Sequence, residues 1–123
     1  MSRYHRIYNI TRAAPALDKG KWCASTWCHF RGLMLRRDLP DNEGLIFVRK
    51  HPSIAATAIH MLFCFFPLGV VWVDADLRVV DMKLAKPWRP YYAPQKPAQY
   101  YIEAKPGILE RVAIGDKLRL DSL

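Results

Sequence analysis

The chain has 123 residues, is 51% hydrophobic and 12% aromatic, and carries a formal net charge of +8 from 19 basic and 11 acidic residues. That length suits a single domain, taken here as 1–123, with one core built without disulfide staples, and the composition excludes a disordered chain. The basic excess favours anionic partners and says nothing about fold.

Arg3, His5, Arg6 and Arg12 follow Met1 with no apolar stretch between them, so no secretory signal is expected. Three cysteines are an odd count without a disulfide framework, which points to a reducing compartment. The expected location is therefore the cytoplasm. Arg6–Thr11 alternates and predicts a first strand, and Leu17–Ala24 a second, with Lys19-Gly20 as its weak point. Ser25 or Thr26 is placed to cap a short helix running to Arg36, whose Trp27, Phe30, Leu33 and Met34 make one apolar stripe. Gly32 inside that helix suggests tight packing against a strand. Leu39–Asn42 predicts a turn, Leu45–Val48 a short buried strand, and Arg49–Ser53 a basic loop.

Ala55–Val73 holds no formal charge apart from His60 when protonated, and is long enough for a membrane span of roughly 17–25 residues. Pro67 and Gly69 oppose a helix there, and Gly69-Val70-Val71-Trp72-Val73 is β-branched and aromatic. The run is read as two strands, Thr57–Phe65 and Leu68–Val73. Asp74–Leu77 predicts a hairpin turn, in which Leu77 is a poor residue if φ is positive, and Arg78–Met82 the return strand. Pro87, Pro90, Pro94 and Pro97 exclude a regular helix or central strand over Lys86–Pro97. Gln99–Ala104 alternates as a strand, Pro106–Ala113 predicts a short helix, and Asp116–Leu120 a closing strand.

Pro67-Leu68-Gly69-Val70-Val71-Trp72-Val73-Asp74, followed by Asp76 and Arg78-Val79-Val80, resembles the family known as domain of unknown function 192. Arg31-Gly32-Leu33-Met34, Glu43-Gly44-Leu45, Pro87-Trp88-Arg89 and Ile114-Gly115-Asp116 match its other boxes in order, so the resemblance spans about residues 6–120. It implies a compact, mainly β fold with short helices and implies no activity. Gly69 and Leu77 stand where the family usually has Asp and Gly. His60-Met61-Leu62-Phe63-Cys64 replaces its Trp-Met-Lys-Asn-Thr, so no chemistry of that Lys or Asn carries over.

Several constellations have a functional and a plain reading. His60 on an apolar strand is a satisfied core histidine, the favoured reading, or a pocket histidine titrating near neutral pH. Cys23, Cys28, Cys64 and a histidine supply four metal ligands on paper, but buried cysteines are ordinary core and no metal is expected. Cys64 and His60 on one strand would lie roughly 13 Å apart, too far for a nucleophile–base pair. Lys83–Tyr101 interleaves Lys83, Lys86, Arg89 and Lys96 with Trp88, Tyr91, Tyr92, Tyr100 and Tyr101. That pattern suits single-stranded nucleic acid, or a loop whose rings pin it to the body, and the second is favoured.

The expected fold is a mainly β, compact antiparallel sandwich or barrel of about seven or eight strands with one or two short α-helices. No G-x-S-x-G, P-loop or dinucleotide fingerprint is present and no cofactor is expected. The expected function is non-enzymatic binding of a small anionic ligand or a protein segment, with Arg31, Glu43, His60, Trp88 and Arg89 as candidate site residues. Nucleic-acid binding through residues 83–101 is the alternative, and an enzyme comes third.

Overall fold

The computed structural model describes residues 3–25, 28, 32–34 and 38–123. Seven strands form one sheet: β1 Tyr4–Asn9, β2 Ala14–Cys23, β3 Glu43–Ser53, β4 Leu68–Val73, β5 Val79–Ala85, β6 Ala98–Ala104 and β7 Leu118–Ser122, in the spatial order β5-β4-β6-β3-β2-β1-β7. The outer strands β5 and β7 meet at one end. An isolated bridge joins Arg78 to Lys117, Val79 N–H donates to the Asp116 carbonyl at 2.9 Å, and Leu118 N–H donates to the Leu77 carbonyl at 2.8 Å. The sheet is thus a curled half-barrel.

All six residues of β4 are buried, because β5 and β6 flank it and both its faces are covered. Val70 and Trp72 join the core on one face with Leu45, Phe47 and Tyr101. Val71 and Val73 join the other with Ile46, Ile102 and Ile108. Period-two alternation along each strand makes this division. At the hairpin, Asp74 Oδ1 accepts from Asp76 N–H at 2.9 Å and Arg78 N–H at 3.0 Å, and Leu77 has φ +64°, where glycine is usual.

Three expectations are corrected. The sheet is not wholly antiparallel, because β2 pairs with β3 in parallel, Lys19 to Glu43 through Cys23 to Phe47. The long connection over residues 24–42 permits that crossover. Thr57–Phe65 is not a strand. A 3-10 turn at Ala55–Thr57 leads into it, and it holds a two-bond bridge between Ile59 and Tyr92 and a turn closed by Cys64 N–H on the Met61 carbonyl at 3.1 Å. Ile59, Met61 and Cys64 are buried against the sheet, so the run is apolar because it lies on the core face. Cys23 and Cys28 form a disulfide with Cα atoms 5.6 Å apart, inside the usual span, while Cys64 stays free. The disulfide removes the inference from cysteine count to a reducing compartment.

Of the helix expected after Ser25, the residues Thr26, Trp27, His29, Phe30, Arg31 and Arg36 lie outside the described residues, as does Arg37. Ser25 Oγ accepts from Cys28 N–H at 3.1 Å, and Gly32 N–H donates to the Cys28 carbonyl at 2.8 Å. Gly32 has φ +48°, and an added Cβ would meet Phe47 Cζ at an ordinary 3.5 Å. Backbone conformation, not tight packing, selects glycine there. Pro106–Glu110 is a 3-10 helix with Ile108 buried. Among the described residues no helix is long and apolar enough to cross a membrane.

Candidate functional site

β3 and β6 build the floor of a small cavity. Their register pairs Phe47 with Tyr101 and Leu45 with Glu103, so Arg49, Tyr101 and Glu103 fall on one face of the sheet. The Phe47 and Tyr101 rings stack at 4.5 Å and 6°, fixing the tyrosine's direction. Ile59, His60 and Cys64 from the apolar loop form one wall, and Gly32, Leu33 and Met34 another. The cavity has a volume of about 90 Å³ and is partly open to solvent.

The charges of this cavity are set by burial. Burial pushes the Glu103 carboxyl up to about 8, so it is mainly protonated at neutral pH and can donate a hydrogen bond. Burial, then the nearby Glu103, pushes the Cys64 thiol up to about 11. A thiol held neutral is a poor nucleophile. Tyr101 is also raised, first by burial and then by Glu103, while a hydrogen bond with Arg49 acts the other way. Arg49 Nε donates to the Ala56 carbonyl at 2.9 Å, which fixes the guanidinium beside the cavity. Among the described residues no carboxylate lies within ion-pair distance of Arg49. The arrangement therefore offers one half-buried cation, a neutral carboxylic acid and a phenol to whatever enters.

Of the residues expected at the site, His60 lines the cavity. It is exposed and not in a strand, so the core-histidine reading fails, and its Nδ1 accepts from Leu62 N–H at 3.2 Å. Glu43 lies elsewhere, in a separate pocket of about 290 Å³ with Tyr4, Lys19 and Lys21. Trp88 and Arg89 have exposed side chains outside the cavity. Their backbones tie to the His60 segment, Trp88 N–H on the Met61 carbonyl and Met61 N–H on the Arg89 carbonyl, each at 2.8 Å. Arg31 lies outside the described residues. Sequence reasoning missed Arg49, Tyr101 and Glu103. The available signal was a glutamate on the same strand face as Tyr101, in a strand otherwise read as half apolar.

Other features of the chain are structural. Asp116 Oδ2 accepts from Asn9 Nδ2 at 2.8 Å and Ala113 N–H at 2.9 Å and lies 3.3 Å from Arg12 Nε, which accounts for the Ile114-Gly115-Asp116 box. Within the Glu43-Gly44-Leu45 box, a Cβ at Gly44 would overlap the Glu103 carbonyl oxygen. Among the described residues no three His, Cys, Asp or Glu side chains are grouped to hold a metal. Of the tyrosines in the 83–101 segment, Tyr101 is buried under Phe47 and is closed to base stacking.

The fold is similar to two solved structures. One, described as a putative transcription regulator from Sinorhizobium meliloti, matches with TM-score 0.85 at 20% identity over 97% of this chain and 95% of that one. A protein of unknown function from Novosphingobium aromaticivorans matches with TM-score 0.76 at 22% identity over 94% of this chain and 83% of that one. At such identities the likeness is one of fold alone. A UPF0127 protein of Thermococcus kodakarensis is 38% identical over 108 residues, 88% of this chain and 67% of that one. Another, from Pyrococcus furiosus, is 36% identical over 114 residues, 91% of this chain and 95% of that one. The model of the family described as "Uncharacterized ACR" (DUF192) matches residues 7–120, and the chain belongs to that family.

Proposed function

We propose that the chain is a non-enzymatic binding module whose cavity takes a small anion, specifically the carboxylate of a small molecule or the carboxylate end of a larger one. The observation that carries this reading is the pairing of Arg49, fixed by the Ala56 carbonyl and without a carboxylate partner among the described residues, with a buried Glu103 held mainly protonated. A guanidinium supplies the countercharge, and a carboxylic acid donates to a carboxylate oxygen in a charge-assisted hydrogen bond. Size agrees. A space of about 90 Å³ is smaller than the roughly 150 Å³ cavity that holds benzene, so only a few heavy atoms enter.

Binding rather than catalysis is the reading taken because the thiol that lines the cavity is not activated. Cys64 is held as a thiol by burial. Backbone amide shifts in NMR, followed as acetate or propionate is added near neutral pH, test the reading. Shifts concentrated at Arg49, His60, Cys64, Tyr101 and Glu103, with a Kd no weaker than about 10 mM, are expected for so small a ligand. They should vanish in Arg49→Gln with the fold retained. Shifts spread over surface lysines, or unchanged in that variant, would refute it.

A further inference from the structure

Beside the cavity lies an apolar surface that the binding reading does not use and on which this inference does not depend. Phe63, Phe65 and Trp88 are 47%, 50% and 49% exposed. The Phe63 and Phe65 rings meet Trp88 edge-on, at 5.2 Å and 5.9 Å. Two half-exposed phenylalanine rings therefore pack on one half-exposed tryptophan, on two loops held together by the Met61 hydrogen bonds to residues 88 and 89. Phe63 has φ +62° and Trp88 φ +67°. That region is sparsely populated by residues with a Cβ, and such outliers cluster where function holds them.

The two chain stretches that carry these rings bear charge of one sign. No Asp or Glu occurs from Gly44 to Val73 or from Met82 to Ile102, the two stretches that supply the loops. The exposed Lys86 and Arg89 flank Trp88 in sequence. Asp81, the nearest preceding acid, is buried and engaged by Gln95 N–H at 3.0 Å and by Lys83 at 3.8 Å. An apolar aromatic knob carried on two acid-free stretches, with exposed Lys86 and Arg89 beside Trp88 in sequence, complements an anionic apolar interface. Tryptophan and phenylalanine enter the headgroup boundary while lysine and arginine meet lipid charge. The ring geometry disfavours single-stranded nucleic acid. Base stacking needs free ring faces along a strand, and here the rings turn edges and faces to one another.

We propose that Phe63, Phe65 and Trp88 form a knob that docks this protein on the surface of an anionic lipid bilayer. The knob inserts without any spanning segment, and Lys86 and Arg89 hold it by charge. Docking would place the mouth of the cavity, which shares the His60–Cys64 loop, close to the lipid surface.

Sedimentation with phosphatidylcholine vesicles, with and without about 30% phosphatidylserine, tests it. Binding to the anionic vesicles should be at least about tenfold tighter than to neutral ones and should weaken in about 0.5 M salt. Trp88→Asn and Phe63→Asn retain a residue that tolerates positive φ, so folding is preserved. Each should lower partitioning at least about fivefold with Tm unchanged, whereas Trp88→Phe should retain most of it. Lys86→Gln with Arg89→Gln should remove the preference for phosphatidylserine. Equal binding of wild type and Trp88→Asn, or no binding to anionic vesicles, would overturn the proposal. So would a Trp88-dependent affinity for single-stranded RNA exceeding that for vesicles, or a Trp88-dependent dimer that ignores them.

Discussion

Replacing Glu103 with Gln keeps the shape of a side chain buried in the middle of the sheet and removes its ionisation. In the folded chain burial raises this carboxyl from 4.5 to about 8. The folded pKa lies above the unfolded one, so the folded state holds the extra proton. The resulting stabilisation is complete below the unfolded pKa and is lost as pH rises through about 8. With about 1.4 kcal/mol per pKa unit, integration between about pH 6 and about pH 8.5 gives a loss of about 2–3 kcal/mol from this one group. That is a large share of a typical total of roughly 5–15 kcal/mol. Urea denaturation of both proteins at a series of pH values is the assay. The wild type should lose this amount relative to Glu103→Gln across the interval, since the other titrating groups are common to both. Parallel stability curves would refute the reasoning and would mean that the carboxyl is already ionised in the folded chain.

Three further variants probe the frame that holds the cavity. Gly44→Ala drives a Cβ into the Glu103 carbonyl oxygen and against Ala104 Cβ at 3.0 Å. It should cost about 3 kcal/mol or more in urea unfolding, because backbone cannot yield as a side chain can. Trp72→Phe removes the 2.7 Å bond from Nε1 to the Thr57 carbonyl, and should cost about 2–4 kcal/mol with faster amide exchange in the Ala55–Thr57 turn. Cys23→Ser with Cys28→Ser opens a loop of sequence separation 5 and should lower stability by about 2 kcal/mol under non-reducing conditions, a difference that vanishes when the wild type is reduced.

The parts of the fold that were legible are those where a local rule and the tertiary environment agree. Leu68–Val73 is β-branched and aromatic, is broken off by Pro67, and ends at an Asp74 whose side chain closes the turn, so its bounds match β4. The Gly44 and Asp116 boxes were recognisable as motifs, but their reasons, a blocked Cβ and a buried carboxylate anchoring two loops, exist only in three dimensions. Thr57–Phe65 misled because an apolar loop lying on a sheet has the composition of a buried strand, and periodicity does not separate the two in a short run. The parallel β2–β3 pair was invisible because strand neighbours across residues 24–42 are set by global packing. The cavity was half legible. His60 stood out as a polar group in an apolar run, while Glu103 passed as an ordinary strand residue and Tyr101 was grouped with the aromatics of residues 83–101, until β3 and β4 closed on both sides of β6.

The most direct test of the carboxylate site is the pH dependence of its affinity in wild type and Glu103→Gln. With Glu103 protonated below about pH 8, acetate meets a hydrogen-bond donor and the Arg49 cation, and above it meets a second negative charge. Isothermal titration from about pH 6 to about pH 9.5 should therefore show wild-type affinity falling about tenfold per pH unit once past about pH 8. In the glutamine variant, which donates at every pH, affinity should stay level over the same range. A wild-type affinity that does not change with pH, or a glutamine variant that follows the same fall, would contradict it.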